Sequence, residues 1–313
     1  MKTLDWSELR GPELERLDRA STVVTVAVSP LEVHGPHLPL ATDALEARAL
    51  LDATLEELMR RDPKLVHLRV PTLHLGTDVL PRAGSVSVRP STIVRVVEDL
   101  ARSLARQGFE RILVGNFHAG PRHLVALEVA CDRASRRYGA RVVSLFSFLV
   151  TRLAATKTSL ATLFADIPGV SEAALAHDAH AGLLETSLLL HLRGALVSPE
   201  FRALPELVDP GMLGGGSGLI ATVRAIAKSM RHYQANTYAG APATATAETG
   251  AAMLERIARF SADQVEALWR GELGVGRDLP ATRSPLWRYR HLYLRERAGR
   301  LFERLLGFDP VVF

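Results

Sequence analysis

The chain has 313 residues, of which 47% are hydrophobic and 23% charged. Those shares suit a folded protein with a sizeable core and argue against wholesale disorder. The net charge is +4, and the single cysteine, Cys131, excludes an internal disulfide or a thiolate metal cluster. No apolar stretch approaches a membrane span. Residues Met1 to Glu8 do not read as a signal peptide, so the reducing cytoplasm is the expected compartment.

Apolar runs alternate with helical patterns along the chain. Val23–Val28 reads as a buried strand and Asp43–Arg61 as a helix with Leu45, Leu50, Leu55 and Leu58 on one side. Leu65–Leu75 reads as a second strand. Residues 77–89 are Gly/Pro-punctuated, with Gly84–Val88 entering a short strand. Ser91–Gln107 is an amphipathic helix that Gly108 ends. A third strand, Arg111–Asn116, precedes a helix over Pro121–Tyr138, whose proline suits a first turn. Arg141–Phe148 reads as a fourth strand, Thr151–Ala179 as an excursion from the sheet, His180–Leu192 as a helix, Pro210–Gly218 as a flexible loop and Thr249–Trp269 as a helix. Strands separated by helices predict an α/β fold: one mainly parallel sheet flanked by helices on both faces.

Three segments carry candidate chemistry. Glu32-Val33-His34-Gly35-Pro36-His37-Leu38-Pro39-Leu40-Ala41-Thr42-Asp43 follows the first strand, and Asn116-Phe117-His118-Ala119-Gly120 follows the third. Both therefore leave the same edge of a parallel sheet, where α/β proteins place their sites. His180-Ala181-Gly182-Leu183-Leu184-Glu185-Thr186-Ser187 is the third segment. Glu, Asp and His are ligands for Zn, Mn or Fe. The competing reading of any one of them alone is a loop residue that caps a helix. An Asp flanked by ligands for two ions can bridge them, and a two-metal site presents hydroxide to a carbonyl.

These segments resemble the creatininase (creatinine amidohydrolase) family. Its members show Glu-Gln-His-Gly-x-His-Leu-Pro-x-x-x-Asp, Asn-Gly-His-Gly-Gly-Asn and His-Ala-Gly-x-x-Glu-Thr-Ser segments. Gly240-Ala241-Pro242 with Ala245–Gly250 resembles a further one, so the likeness spans roughly residues 20 to 260. The resemblance implies a single-domain α/β fold, two divalent metal ions (Zn, Mn or Fe) and a homo-oligomer, usually a hexamer. It implies Glu32 and His118 on one ion, His34 on the other and Asp43 between them. His180 would lie beside the scissile bond as proton donor, and Glu185 in or next to the metal shell. His37, Phe117 and Gly120 would contact substrate. Val33, Phe117 and Pro121 depart from the family's residues. Creatininase itself uses a Glu ligand at the position of Gly120, and Glu185 is expected to make up for it.

The expected function is a metal-dependent amidohydrolase that cleaves a cyclic or linear amide C–N bond with a metal-bridging hydroxide. Its partner would be a small-molecule amide or peptide substrate. The family also contains a formylamino-pyrimidine deformylase and a peptidase that trims a cofactor precursor. A catalytically inactive assembly subunit is the alternative class, and Gly216-Ser217-Gly218 lacks the spacing of a serine nucleophile. The expected division is a hydrolase domain over residues 1–265 and a helical C-terminal extension over 266–313. That extension carries Arg283, Arg288, Arg290, Arg295, Arg297, Arg300 and Arg304 with Trp287, Tyr289 and Tyr293. Its apolar residues at helical spacing predict packing on its own or a neighbouring subunit, and no binding of nucleic acid or membrane.

Overall fold

The computed structural model describes residues 2–155, 160–211, 219–273, 288 and 290–294. The central strand is β2, Thr22–Ser29, and all eight of its residues are buried. Alternation along a strand sends successive side chains to opposite faces. Val23 and Ala27 accordingly join one core cluster, and Val24, Val26 and Val28 join the other. A strand covered on both faces is mostly apolar, which is why its sequence shows no polar alternation, and its buried hydroxyls at Thr22, Thr25 and Ser29 are hydrogen-bonded.

The remaining strands are β1 (Lys2–Asp5), β3 (Val66–Arg69), β4 (Leu73–His74), β5 (Arg111–Gly115) and β6 (Arg141–Ser144). They lie in the order β1-β3-β2-β5-β6, with β4 also paired to β2, and every pairing is parallel. Helix α1 is the short Gly11–Glu15, followed by α2 (Thr42–Arg61), α3 (Pro90–Arg106), α4 (Pro121–Tyr138) and α5 (Leu145–Ala155). Next come α6 (Leu160–Phe164), α7 (Glu172–Ala176), α8 (Leu183–Arg193), α9 (Leu219–Asn236) and α10 (Ala247–Trp269). Helices α2, α8 and α10 pack together over one face of the sheet, with Leu50, Leu51, Leu188, Leu189, Met253 and Val265 in their shared core. Helices α3 and α4 cover the other face through Ile93, Val97, Val125, Leu127 and Val129. The fold is thus the mainly parallel, doubly covered α/β sheet that the sequence predicts.

Several boundaries differ from the sequence reading. The expected strand 141–148 stops at Ser144, where its pairing with β5 ends, and Leu145 begins α5. A short apolar run fits a buried helix as well as a strand. The expected strand 65–75 is two strands interrupted around Pro71, which has no N–H to give to a ladder. The strand expected near Val88 is reduced to a bridge between Val86 and Leu31. The helix expected from His180 begins at Leu183 instead. His180 and Ala239 exchange backbone hydrogen bonds, and the Asp178 carboxylate caps Leu183 N (2.6 Å) and Leu184 N (2.8 Å). Strand β1 and helices α1 and α9 have no counterpart in the sequence reading.

Helix α10 runs unbroken through the expected boundary at residue 265. Within the C-terminal segment, Arg290–Tyr293 forms one helical turn and Leu294 packs against the cluster under α3 and α4. Residues 274–287, 289 and 295–313, and Gly214 to Gly218, lie outside the described residues. Among the described residues, no helix is long and apolar enough to cross a membrane.

Candidate metal centre

The register sets the site. Ala27 of β2 lies beside Gly115 of β5, so the segments that leave these two strands emerge as neighbours. The first carries Glu32 and His34, and the second carries His118. Asp43 sits in the first turn of α2 and Glu185 in the first turn of α8, with His180 just before it. Glu32, His34, Asp43 and His118 are each no more than 5% exposed.

Each imidazole is fixed by a backbone carbonyl, which accepts and therefore requires an N–H. His34 Nδ1 donates to Glu32 O (3.0 Å), His118 Nε2 to Thr77 O (2.9 Å) and His180 Nε2 to Val33 O (3.0 Å). The opposite nitrogens of His34 and His118 then face carboxylates. His34 Nε2 is 3.2 Å from Asp43 Oδ1 and 3.9 Å from Glu185 Oε2. His118 Nδ1 is 2.9 Å from Glu32 Oε2 and 3.4 Å from Asp43 Oδ2. The two oxygens of Asp43 thus turn toward two different histidines.

This donor set fits metal ions. Glu32 Oε2 and Asp43 Oδ2 are buried and accept no hydrogen bond. Unpaired buried carboxylate oxygens are costly, and a cation offsets that cost. Glu32 with Asp43 and His118 forms one group of converging ligand atoms, and His34 with Asp43 and Glu185 forms another. A nitrogen of His180 also converges with Glu32 and His34. Imidazoles locked by backbone carbonyls on the far nitrogen are typical of metal-binding histidines.

The electrostatics call for positive charge at the same places. Burial opposes a charge on His34, yet the Asp43 carboxylate beside it, with Glu185 and Glu32, pushes it up to about 10. His118 also lies well above the ordinary range, held there against burial by Glu32 and Asp43. Glu32 and Asp43 stay ionised despite burial because His118 and His34 face them. Glu185 differs: burial pushes it up to about 7, against the pull of His34. Burial and the charge on His34 push His180 down to about 4.

The other expected site residues take supporting places. His37 is buried, and its Nε2 pairs with Thr186 Oγ1 at 2.9 Å, tying the first segment to α8. Phe117 packs on Phe146 with ring centroids 5.3 Å apart, and its N–H donates to Ser29 Oγ. At Gly120 a Cβ would stand 2.3 Å from His118 Nε2 and 2.8 Å from Thr77 O, so this position admits no side chain beside that hydrogen bond.

Three participants escaped the sequence reading: Ser29, His123 and Tyr233. Asn116 Oδ1 accepts from Ser29 Oγ (3.0 Å) and His118 N (3.1 Å), and lies 3.0 Å from His123 Nε2. Asn116 Nδ2 donates to His118 O at 2.7 Å, which fixes the turn that carries His118. Ser29 and His123 thus brace that turn, although neither belongs to a motif segment. Tyr233 of α9 meets the His180 ring edge-on at 5.6 Å. It stands in a helix with no motif, and nothing in the local sequence marks it.

Glu46 lies one turn beyond Asp43 on α2, is 1% exposed, and neither carboxyl oxygen has a hydrogen-bond partner. Burial, then Glu185, Asp43 and Asp178, raises it well above the ordinary range. A carboxyl raised on folding contributes stability that is complete below its unfolded value of about 4.3 and is lost as pH rises toward the folded value. Glu46→Gln removes that loss. In urea unfolding of metal-free protein, the variant should gain on wild type as pH rises from 5 to 8, by roughly 1–3 kcal/mol. An equal difference at both pH values would contradict this.

Comparison with known proteins agrees with the geometry. The family profile described as "Creatininase: Creatinine amidohydrolase" matches residues 7–265. A Mycolicibacterium smegmatis protein named mycofactocin precursor peptide peptidase is 26% identical over 253 residues, 78% of this chain and 84% of that one. Its Mycobacterium tuberculosis namesake is 27% identical over 272 residues, 81% of this chain and 91% of that one. Among solved structures, a Zn–Zn creatininase mutant superposes with a TM-score of 0.60 at 22% identity, covering 86% of this chain and 99% of its own. A manganese creatininase gives 0.57 at 23% identity, covering 85% and 99%. The matched profile spans most of the sequence and contains all three motif segments, so the chain belongs to the creatininase family.

Proposed function

We propose that this chain is a metal-dependent amidohydrolase that cleaves a peptide or other linear amide C–N bond. The observation that carries the reading is the pair of histidines locked by carbonyls, with their opposite nitrogens aimed at buried carboxylates, of which Glu32 Oε2 and Asp43 Oδ2 accept no hydrogen bond. The peptide preference draws on the two mycobacterial relatives, whose names describe a precursor peptide peptidase. Glu32 and His118 would hold one divalent ion, His34 and Glu185 the other, and Asp43 would serve both. Zn, Mn and Fe all suit this set of oxygen and nitrogen donors. Such ions, when bound, polarise the scissile carbonyl and acidify the attacking water.

The chain's own residues then handle the proton. The sequence reading gave this task to His180. Before any ion is present Glu185 is raised to about 7, which places it among the groups able to exchange a proton with the attacking water. Its Oε2 accepts from Ala181 N, which orients the carboxyl beside His34. His180, pushed down to about 4, is neutral at pH 7 and holds its place through Val33 O. We assign Glu185 as the proton carrier, and His180 with Tyr233 as the wall against which the amide seats.

The test is metal content together with amine release. Purified protein loaded with Zn²⁺ or Mn²⁺ should bind two equivalents and release amine from a panel of short peptides and N-acyl amides. Chelation should abolish turnover, and metal should restore it. Wild-type protein that binds neither ion would overturn the proposal.

A further inference from the structure

Residues Thr77 to Leu80 belong to none of the ligand-bearing segments, yet their backbone touches two candidate ligands from two different segments. Thr77 O accepts from His118 Nε2 at 2.9 Å, and Leu80 N donates to Glu32 Oε1 at 2.6 Å. The first contact leaves His118 Nδ1 free to face Glu32 and Asp43. The second turns Glu32 so that Oε2 points inward. Metal ligands need such outer partners to fix their tautomer and direction.

Between these contacts, Asp78 takes φ +65°, a left-handed conformation that Asp adopts more readily than most residues but that still needs support. The support comes from α4. Asp78 Oδ2 accepts from Arg122 N at 2.6 Å, and Asp78 Oδ1 accepts from Arg122 Nε. The side chains of Asp78 and Arg122 are 7% and 6% exposed. The residue at the N-cap of α4 is Gly120, which has no side chain to satisfy the first N–H groups. Asp78 performs that capping from across the fold, as an anion at the positive end of the helix. Gly120 also leaves the room this approach needs, since a Cβ there would stand 2.9 Å from the Cβ of Asp78.

We propose that Asp78 and Arg122 are positioning residues for the metal centre. Their ion pair ties the loop to the start of α4, and the loop's backbone sets the His118 tautomer and the Glu32 rotamer. The inference rests on the metal-site reading. It predicts an asymmetric effect: the ion held by Glu32, Asp43 and His118 depends on the clamp, and the ion held by His34, Asp43 and Glu185 depends on it far less.

The experiment titrates Zn²⁺ into metal-stripped full-length protein, as wild type, Asp78→Ala, Asp78→Asn and Arg122→Gln. Asp78→Ala should weaken one of the two binding steps by roughly 10–100-fold, the usual size of an outer-partner effect. The other step should stay within a few-fold. Asp78→Asn keeps the turn and its acceptor oxygens but loses the charge, so it should lie between Asp78→Ala and wild type. A second readout is the Nε2 proton of His118, followed by ¹⁵N–¹H NMR of the metal-free protein. Wild type should hold that proton against Thr77 O and exchange it slowly with solvent, and the variants should exchange it faster. Unchanged exchange and unchanged zinc steps would overturn the inference, as would equal weakening of both steps. Should Asp78→Ala fail to fold, Asp78→Asn and Arg122→Gln decide by the same criteria. If wild type binds no zinc, the metal reading fails, and the exchange of that proton alone still decides the clamp.

Discussion

Asp43→Ala should lose both metal ions and all measurable turnover while keeping the fold. Asp43 is the one carboxylate whose two oxygens face two histidines, Oδ1 toward His34 and Oδ2 toward His118. Removing it takes a ligand from both groups at once, whereas loss of Glu32 or Glu185 takes one. The helix around it does not depend on it: the first turn of α2 is held by Thr42 N and Thr42 Oγ1 donating to Pro39 O, and by Ala47 and Leu50 in the core. Metal binding to the native state stabilises it by about 2.7 kcal/mol per site at a free concentration 100 times Kd. Wild type should therefore show a metal-dependent rise in Tm that Asp43→Ala lacks. A variant that still purifies with two equivalents of metal would show that Asp43 does not bridge.

Glu185→Gln and His180→Ala, compared at saturating metal, assign the proton. Gln keeps an oxygen for the metal and an acceptor for Ala181 N, but it carries no proton. Glu185→Gln should lower kcat by roughly 10²–10⁴-fold, the range of general acid–base catalysis. His180→Ala should cost less, because its ring is neutral at pH 7 and its Nε2 is committed to Val33 O. The pH–rate profile of wild type should show an acidic limb that Glu185→Gln removes. The opposite ranking would return the proton to His180. Loss of an ion from His180→Ala would make His180 a ligand, using the nitrogen that converges with Glu32 and His34.

Much of the fold was legible because its period and length signals were strong. The strand Thr22–Ser29 carries an apolar run, Val23 to Val28, broken only by Thr25, and α3 places Ile93, Val97, Ala101 and Leu104 at helical spacing on its buried side. The misread boundaries have local causes. Leu145 to Phe148 is too short and too apolar to distinguish strand from buried helix, and only the end of pairing at Ser144 decides it. The start of α8 is set by Asp178 and by Ala239, which is distant in sequence. Strand β1 is four residues at the sheet edge, half exposed, with no apolar run to announce it.

The sequence by itself determined the donor types of the candidate site, the placement of Glu32, His34 and His118 after strands β2 and β5, and membership of the family. Those properties are local: a short motif fixes which donors stand within a few residues of one another, and strand order fixes the edge from which they emerge. Only the tertiary structure decided how the donors are tuned. Burial raises all three carboxyls, and the closer approach of His34 and His118 to Asp43 and Glu32 than of His34 to Glu185 leaves one near neutrality and two ionised. Carbonyls of Thr77 and Val33 choose the nitrogen each ring presents, and Tyr233 arrives from a helix that carries no motif. Desolvation and hydrogen bonding depend on which distant segments close around a side chain, and that information is spread over the whole chain rather than written beside the residue it controls.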